Sequence, residues 1–220
     1  MHKAPIHNKA SFGTDFSFSV MKRPCNELVF PYHMHPNYQL NYVVEGKGKR
    51  VVGDHSENYH SGDLVLLGPN LPHYWTYDEQ FKKKHGAGTA IIIHFDKDSA
   101  GSDFISKPEL KPIDEMLEMA HRGIHFKSAD LNELVSKIVS LPDEEPLKRL
   151  IDLINILYEL AKTPYKTLLA GEAYEKKELP EVVLRINRII NFIKKHFHEE
   201  TLNQSQLADM AGLSNSSFSR

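Results

Sequence analysis

The chain has one cysteine, Cys25, and one tryptophan, Trp75, in 220 residues. A lone thiol excludes an internal disulfide and suits a reducing compartment. No apolar run reaches the roughly 18 residues that a membrane span needs. Met1-His2-Lys3-Ala4-Pro5 opens without the apolar stretch of a secretory signal. An excess of charge is missing too: the net charge is −2, so composition alone does not mark a polyanion binder. From Glu181 onward, Arg185, Arg188, Lys194, Lys195 and Arg220 nearly balance Glu181, Glu199, Glu200 and Asp209. There is no internal repeat, and Gly46-Lys47-Gly48 is no nucleotide loop because no helix follows it. What remains, 40% hydrophobic and 25% charged, is an ordinary soluble chain, long enough for one large domain or two small ones. The expectation is a cytoplasmic protein with no membrane partner.

Two textures divide it. Up to about Asp96 the sequence is strand-like: Phe16 to Val20, Tyr38 to Val44, Arg50 to Val52, Leu64 to Leu67 and Ala90 to Phe95 are short β-branched and aromatic runs between Gly, Pro and Asn. Glu45-Gly46-Lys47-Gly48 reads as a hairpin turn using glycine's positive φ. No helical period shows in this half, and the regular short strands predict an antiparallel barrel or sandwich. After about Pro108 the period becomes helical. Ile113, Leu117 and Ala120 mark one helix. Leu131, Leu134, Val135 and Ile138 mark a second, ending before Pro142. Leu147, Leu150, Ile151, Ile154, Leu157, Tyr158 and Ala161 mark a third, ended by Thr163-Pro164. Leu153, Ile156 and Leu160 give that helix a second apolar face, to be buried within the chain or in a dimer. The expected divisions are a strand domain over 1–108, a helical region over 109–170, a polar linker over 171–180 and a helical domain over 181–220. The fold class is α+β.

The last segment carries a compact pattern. Gln204 to Met210 reads as a short helix with Leu207 and Ala208 inward, and Thr201 or Asn203 as its cap. Gly212 supplies the left-handed turn, Leu213 plugs the core below it, and Ser214 caps a second helix anchored by Phe218. That is the layout of a helix-turn-helix, which needs a small contact residue, a glycine turn and a free second helix. With the preceding helix Glu181 to His198, the run Leu-x-x-x-x-Leu-Ala-x-x-x-Gly-Leu-Ser resembles the opening of the DNA-binding domain of AraC/XylS-type transcription factors, over Leu184 to Arg220. The resemblance implies Asn215, Ser216, Ser217, Ser219 and Arg220 as DNA contacts. It also implies a second motif that this sequence lacks, so the chain reads as a fragment that binds DNA weakly or not at all.

A second constellation lies near the N-terminus. His33-Met-His35-Pro-Asn-Tyr-Gln39 places His33, His35 and Gln39 on one strand face. Gly62-Asp63 and Pro69-Asn70-Leu71-Pro72-His73 follow. These runs resemble the two cupin motifs, which build a small β-barrel and, in metal-binding members, supply three His and a carboxylate. The matching positions are His33, His35, Gln39 and His73. Gln39 stands where the metal-binding pattern has Glu, Leu71 stands where it has Gly, and the second spacing is a residue short. An amide is a weaker ligand than a carboxylate, so the expectation is no metal, no cofactor and no catalytic residue. Instead these polar side chains either line a ligand pocket or are hydrogen-bonded within the barrel; the pocket reading takes His33, His35, Gln39, Tyr42, His73 and Trp75 as lining a site for a small-molecule effector such as a sugar. Each aromatic is otherwise ordinary core. His121, His125, His196 and His198 read as solvated surface. A cupin-like barrel, then helices, then a helix-turn-helix is the order found in AraC-type regulators, implying a homodimer that reads DNA in response to a ligand. The competing reading is a metal-dependent cupin enzyme, a dioxygenase or sugar isomerase, with an unrelated helical tail.

Overall fold

A computed structural model describes residues 6–7, 17–25, 32–101, 103–127, 131–175, 189, 192–193 and 202–219. The chain divides into two compact units, Met1–Lys176 and Lys177–Arg220. In the first, the strands are β1 (Ile6–His7), β2 (Phe18–Pro24), β3 (His33–Met34), β4 (Tyr38–Glu45), β5 (Lys47–Val52), β6 (His55–His60), β7 (Asp63–Leu67), β8 (His73–Tyr77), β9 (Thr89–Phe95), β10 (Ile124–Lys127) and β11 (Lys166–Leu168). Its helices are α1 (Glu79–His85), α2 (Lys111–Met119), α3 (Asn132–Ser140), α4 (Pro146–Lys162) and α5 (Glu172–Glu175). The strands form two sheets, ordered β1-β3-β8-β5-β6 and β11-β10-β7-β4-β9-β2. All pairs are antiparallel except β1 with β3.

The six-stranded sheet has two apolar faces, because successive side chains point to opposite sides. Tyr38, Leu40 and Tyr42 of β4, Leu64 and Leu66 of β7, Ile91 and Ile93 of β9, and Ile124 and Phe126 of β10 share one buried cluster with α2, α3 and α4. Val43, Val65, Leu67 and Ala90 face the other way and meet Val52, Tyr59, Trp75 and Tyr77 of the second sheet. The registers Gln39↔His94 and Gln39↔Leu67 align the strands so that the odd-numbered residues of β4 look into the space between the sheets.

Several expectations change. Glu45-Gly46-Lys47-Gly48 is not a hairpin: β4 pairs with β7 and β9, whereas β5 pairs with β6 and β8, so the segment carries the chain from one sheet to the other. The hairpin lies one strand later, at Gly53 with φ 59° between β5 and β6. Gly48 serves close approach instead, since a Cβ there would lie 1.9 Å from the carbonyl oxygen of Thr76. The strand-like half contains α1, which buries no residue and therefore leaves no apolar stripe to read. It is held by the Asp78 cap, which accepts from the Phe81 N–H at 2.8 Å, and by Lys82 to His85 in its last turn. The helical half contributes β10 and β11 to the sheet edge; at four and three residues they are too short for a period-2 signal.

The helices follow the apolar spacing closely. Pro112 and Pro146 sit in the first turns of α2 and α4, where the missing N–H costs nothing. α4 buries Leu153, Ile156, Leu157 and Leu160, and Leu150, Ile154 and Ala161 pack beside them, while Leu147 is 71% and Ile151 50% exposed, so among the described residues only the outer edge of its apolar surface is left uncovered. Part of the expected linker is ordered: α5 occupies Glu172–Glu175, and residues 176–180 lie outside the described ones, as does most of the helix expected over 181–198.

In the second unit α6 (Gln204–Ala211) and α7 (Asn215–Phe218) are joined by Gly212 in the left-handed conformation, φ 63° and ψ 36°. Asn203 and Gln206 form a reciprocal capping box at the start of α6. Leu213 donates to Ala208 and Gly212 to Asp209, each at 3.0 Å, closing its end. Ser214 caps α7 by accepting from Ser217. Ala208 and Ala211 are buried, but Leu213 is 48% exposed and Phe218 only half-buried. Leu213 does not plug a core: it stands half exposed just past the turn, while Ala208 and Ala211 are buried.

Phe126, fully buried between β10 and the helices, should cost about 3–5 kcal/mol when replaced by Ala. Tyr165→Ala, at an exposed position, should stay within about 0.5 kcal/mol. Urea unfolding of both variants checks the difference.

Candidate functional site

His33 on β3 lies opposite His73 on β8, and Gln39 on β4 lies opposite His94 on β9. With His35 these side chains form one buried polar cluster. Ring centroids stand 4.3 Å apart for His33 and His73, 4.9 Å for His35 and His73, and 4.9 Å for His35 and His94. Trp75 borders it, its ring 5.7 Å from that of His73. Five of the six expected pocket residues therefore come together. Tyr42 does not. Three residues beyond Gln39, it points to the opposite face and packs among Leu64, Ile91 and the helices.

His94 was missed. Its signal was a single polar residue in the otherwise apolar run Ala90 to Phe95, at the alternate positions that face the inner space. His125, expected on the surface, is half-buried, with Nε2 3.4 Å from Asp63 Oδ1. The reason is again parity, since it lies between Ile124 and Phe126, which take the helix-facing side.

Hydrogen bonds fix the rings. His35 Nδ1 lies 2.9 Å from the Asn37 carbonyl and His73 Nδ1 2.7 Å from that of Leu71. A carbonyl only accepts, so both Nδ1 atoms donate and, in the neutral rings, both Nε2 atoms carry the lone pair. His35 Nε2 and His94 Nε2 each lie 2.9 Å from Gln39 Oε1; with a lone pair on His35 Nε2, the hydrogen bond to that ring requires the amide turned so that its NH2 donates. His73 is 1% exposed and its Nε2 has no hydrogen-bond partner. A buried acceptor with no protein partner is open to a hydrogen bond from a water or a ligand.

Burial, and then the neighbouring His35 and His33, push the His94 pKa down to about 3. His73 is lowered for the same reasons, burial first. Both rings are therefore neutral near pH 7. His33, His35 and His73 place their potential ligand nitrogens within 4.8 Å of one another. A tetrahedral zinc with bonds of about 2.0–2.1 Å needs these nitrogens roughly 3.3 Å apart, so the set would have to close in to hold one. A neutral three-imidazole set fits zinc, copper, nickel or iron, and not magnesium or calcium.

A second polar cluster lies nearby. Arg50, 1% exposed, donates to Glu57 at 2.8 Å, and its Nε lies 3.7 Å from Asp63. Burial raises the Asp63 pKa, against the pull of Arg50, His125 and the Trp75 indole N–H. Burial lowers that of His125. Outside this cluster runs a groove of about 370 Å³ lined by residues 57–63 and 125–127.

Residues 19–82 match the family model described as cupin domain. The match spans the strands that carry His33, His35, Gln39 and His73. No curated protein is matched. Among solved structures, the AraC-like transcriptional activator CuxR aligns at 9% identity over 90% of this chain and 64% of that chain, TM-score 0.40. The chain thus spans less than two thirds of CuxR. Unsaturated fatty acid-bound ToxT from Vibrio cholerae aligns at 10% identity over 91% of this chain and 76% of that chain, TM-score 0.43. A cupin 2 conserved barrel domain protein from Salinispora arenicola aligns at 14% over 41% of this chain and 72% of that chain, TM-score 0.28. No helix among the described residues is long and apolar enough to cross a membrane.

The candidate DNA-contact residues Asn215, Ser216, Ser217 and Ser219 lie on and just after α7 and are exposed. Asn215 donates to Ser205 at 2.9 Å, and Ser219 meets Gln204, so two of them also tie α7 to α6. Arg220 lies outside the described residues.

A histidine whose folded pKa lies below its unfolded value of about 6.5 binds fewer protons when folded. Its contribution to stability is complete above about pH 6.5 and is lost as pH falls below that value, until the folded ring itself titrates. For His94 this window runs down to about 3. Each such ring adds a slope of up to about 1.4 kcal/mol per pH unit. In chelator-treated buffer, urea unfolding of His94→Gln between pH 6.5 and 5 should therefore depend less steeply on pH than the parent chain; equal slopes would contradict the shift.

Proposed function

We propose that the chain is the sensor and partial DNA reader of a ligand-responsive, AraC-type transcription regulator acting in the cytoplasm. The observation that carries this reading is the pairing of two features in separate units. One is a buried polar cluster with an unpaired acceptor, His73 Nε2, between the sheets. The other is a two-helix corner with a capping box, a left-handed glycine and an exposed polar second helix. A small effector with hydroxyl groups, a sugar for instance, suits His33, His35, Gln39, His73 and Trp75, because a hydroxyl both donates and accepts. Asn215, Ser216, Ser217, Ser219 and Arg220 are the proposed DNA contacts. The reading assigns no catalytic residue and no cofactor.

A homodimer belongs to the same reading. Leu147, Ile151 and Tyr158 form an exposed stripe on α4 at spacings of four and seven residues, which lie on one helix face. Two copies of this stripe packed about a twofold axis would bury it. Two half-sites on DNA require such symmetry.

The deciding experiment is enrichment of genomic fragments on the immobilised chain, with and without a panel of sugars. Since α7 offers only four residues, binding should be weak, with a Kd near the roughly 10⁻⁴–10⁻⁶ M of non-specific contacts at physiological salt. It should be lost in Ser216→Asp/Ser217→Asp and weakened in Ile151→Lys. Enrichment unaffected by these substitutions, or none at low salt, would count against the reading.

The three-histidine geometry favours a second reading, a metal-dependent cupin enzyme. Elemental analysis of the purified chain separates the two. Stoichiometric iron, zinc or manganese, lost in His33→Ala/His35→Ala, would replace the sensor with an enzyme. Substoichiometric metal unchanged by that variant is the outcome expected of the sensor.

A further inference from the structure

The wall that carries the histidine cluster has an outer side, and one chain segment is fastened to it. β3 and β8 pair at His33↔His73, so their neighbours Tyr32 and Tyr74 lie side by side facing outward, with ring centroids 5.7 Å apart at 89°. The Tyr32 hydroxyl donates to the Gly53 carbonyl at 3.2 Å and accepts a hydrogen bond from Tyr174 of α5. Gly53 in turn donates to Pro72, next to His73, at 2.8 Å.

The segment leading into Tyr174 is held at three successive backbone amides. Leu169 donates to Gly123 at 2.9 Å, Ala170 to Arg122 at 2.8 Å, and Gly171 to Asp54 Oδ1 at 3.0 Å. Arg122 Nε returns a bond to the Ala170 carbonyl at 2.9 Å. Gly53 leaves the room this needs: a Cβ there would lie 3.0 Å from Ala170 Cβ and 3.2 Å from the Tyr174 ring. Residues 169–174 are thus strapped across the hairpin whose inner strand bears Val52, the register partner of His73. The first compact unit ends two residues later, at Lys176.

We propose that residues 169–174 are a strap whose docking depends on the state of the histidine cluster and transmits that state to the chain that follows. The proposal rests on the sensor reading and adds the route by which a ligand is felt. A ligand that draws His33 or His73 inward moves the backbone of the next residue, because successive residues of a strand stand on opposite faces. Tyr32 then shifts against Gly53, and the Tyr174 hydroxyl loses its acceptor. By linkage the coupling is reciprocal, so loosening the strap alters the cluster.

Hydrogen exchange and the emission of Trp75, the sole tryptophan, test both directions in the ligand-free 220-residue chain. In His73→Gln, the Ala170 and Gly171 amides should exchange about fivefold faster than in the parent, the equivalent of one lost hydrogen bond. Leu160→Ala, in the other core cluster, controls for general loss of stability. In Tyr174→Phe, which keeps the ring and removes the hydroxyl, Trp75 emission should change, whereas in Tyr165→Ala it should not. Strap amides that respond alike in His73→Gln and Leu160→Ala, or Trp75 emission identical in Tyr174→Phe and the parent, would overturn the coupling. No effector is added, so failure to find one would sink the sensor reading and leave this result standing.

Discussion

Everything in the first unit depends on the two-sided character of the six-stranded sheet. Alternation along β4, β7 and β9 sends one set of side chains to the helices and the other to the inter-sheet space. The helix side is wholly apolar, and burying it is the main source of stability. The inner side is mixed: Val65, Leu67 and Ala90 share it with Gln39, Asn41 and His94. A one-residue slip in any of these strands would put the polar set against the helices. Register and site are thus fixed by the same constraint.

That constraint also explains how the polar cluster is tolerated. Four imidazoles and an amide are buried with neighbours to bond: His35 and His73 donate to backbone carbonyls, and Gln39 is clamped by two rings. Keeping His73 and His94 neutral avoids the larger penalty of burying charge. Arg50 is treated differently, as a cation matched by Glu57 and Asp63. Breaking that arrangement by removing one partner would leave an uncompensated buried charge, which is strongly destabilising. The inner space therefore holds a histidine-lined end and an ion-paired end.

Much of this was legible in the residues. The three helices α2 to α4 followed their apolar spacing, and Asn203, Gly212 and Ser214 took their expected capping and turn roles, because such signals are local. His33, His35, Gln39 and His73 were found from two short motifs although forty residues separate the first from the last. What stayed hidden depended on pairing. Tyr42 was assigned inward although its spacing from Gln39 is odd. Glu45 to Gly48 looked like a hairpin, and only the partners of β4 and β5 show that the chain changes sheets there. His94 joined the site through register with Gln39, which no local pattern announces. β10 and β11 are strands because a sheet edge needed covering, and α1 is a helix without a buried face.

Gly48 sets a tolerance for the inner space. With no side chain, it lets β5 come so near β8 that a methyl would overlap the Thr76 carbonyl. Arg50 and Trp75, two residues along from Gly48 and Tyr77, inherit that spacing through their own register. Any larger residue at position 48 would act as a wedge at one end of the hinge formed by these strands. By register it would part the strands more at Trp75, paired with Arg50, than at His73, paired with Val52. The spacing of β5 and β8 beside the indole is thus set by a position that touches none of the histidines.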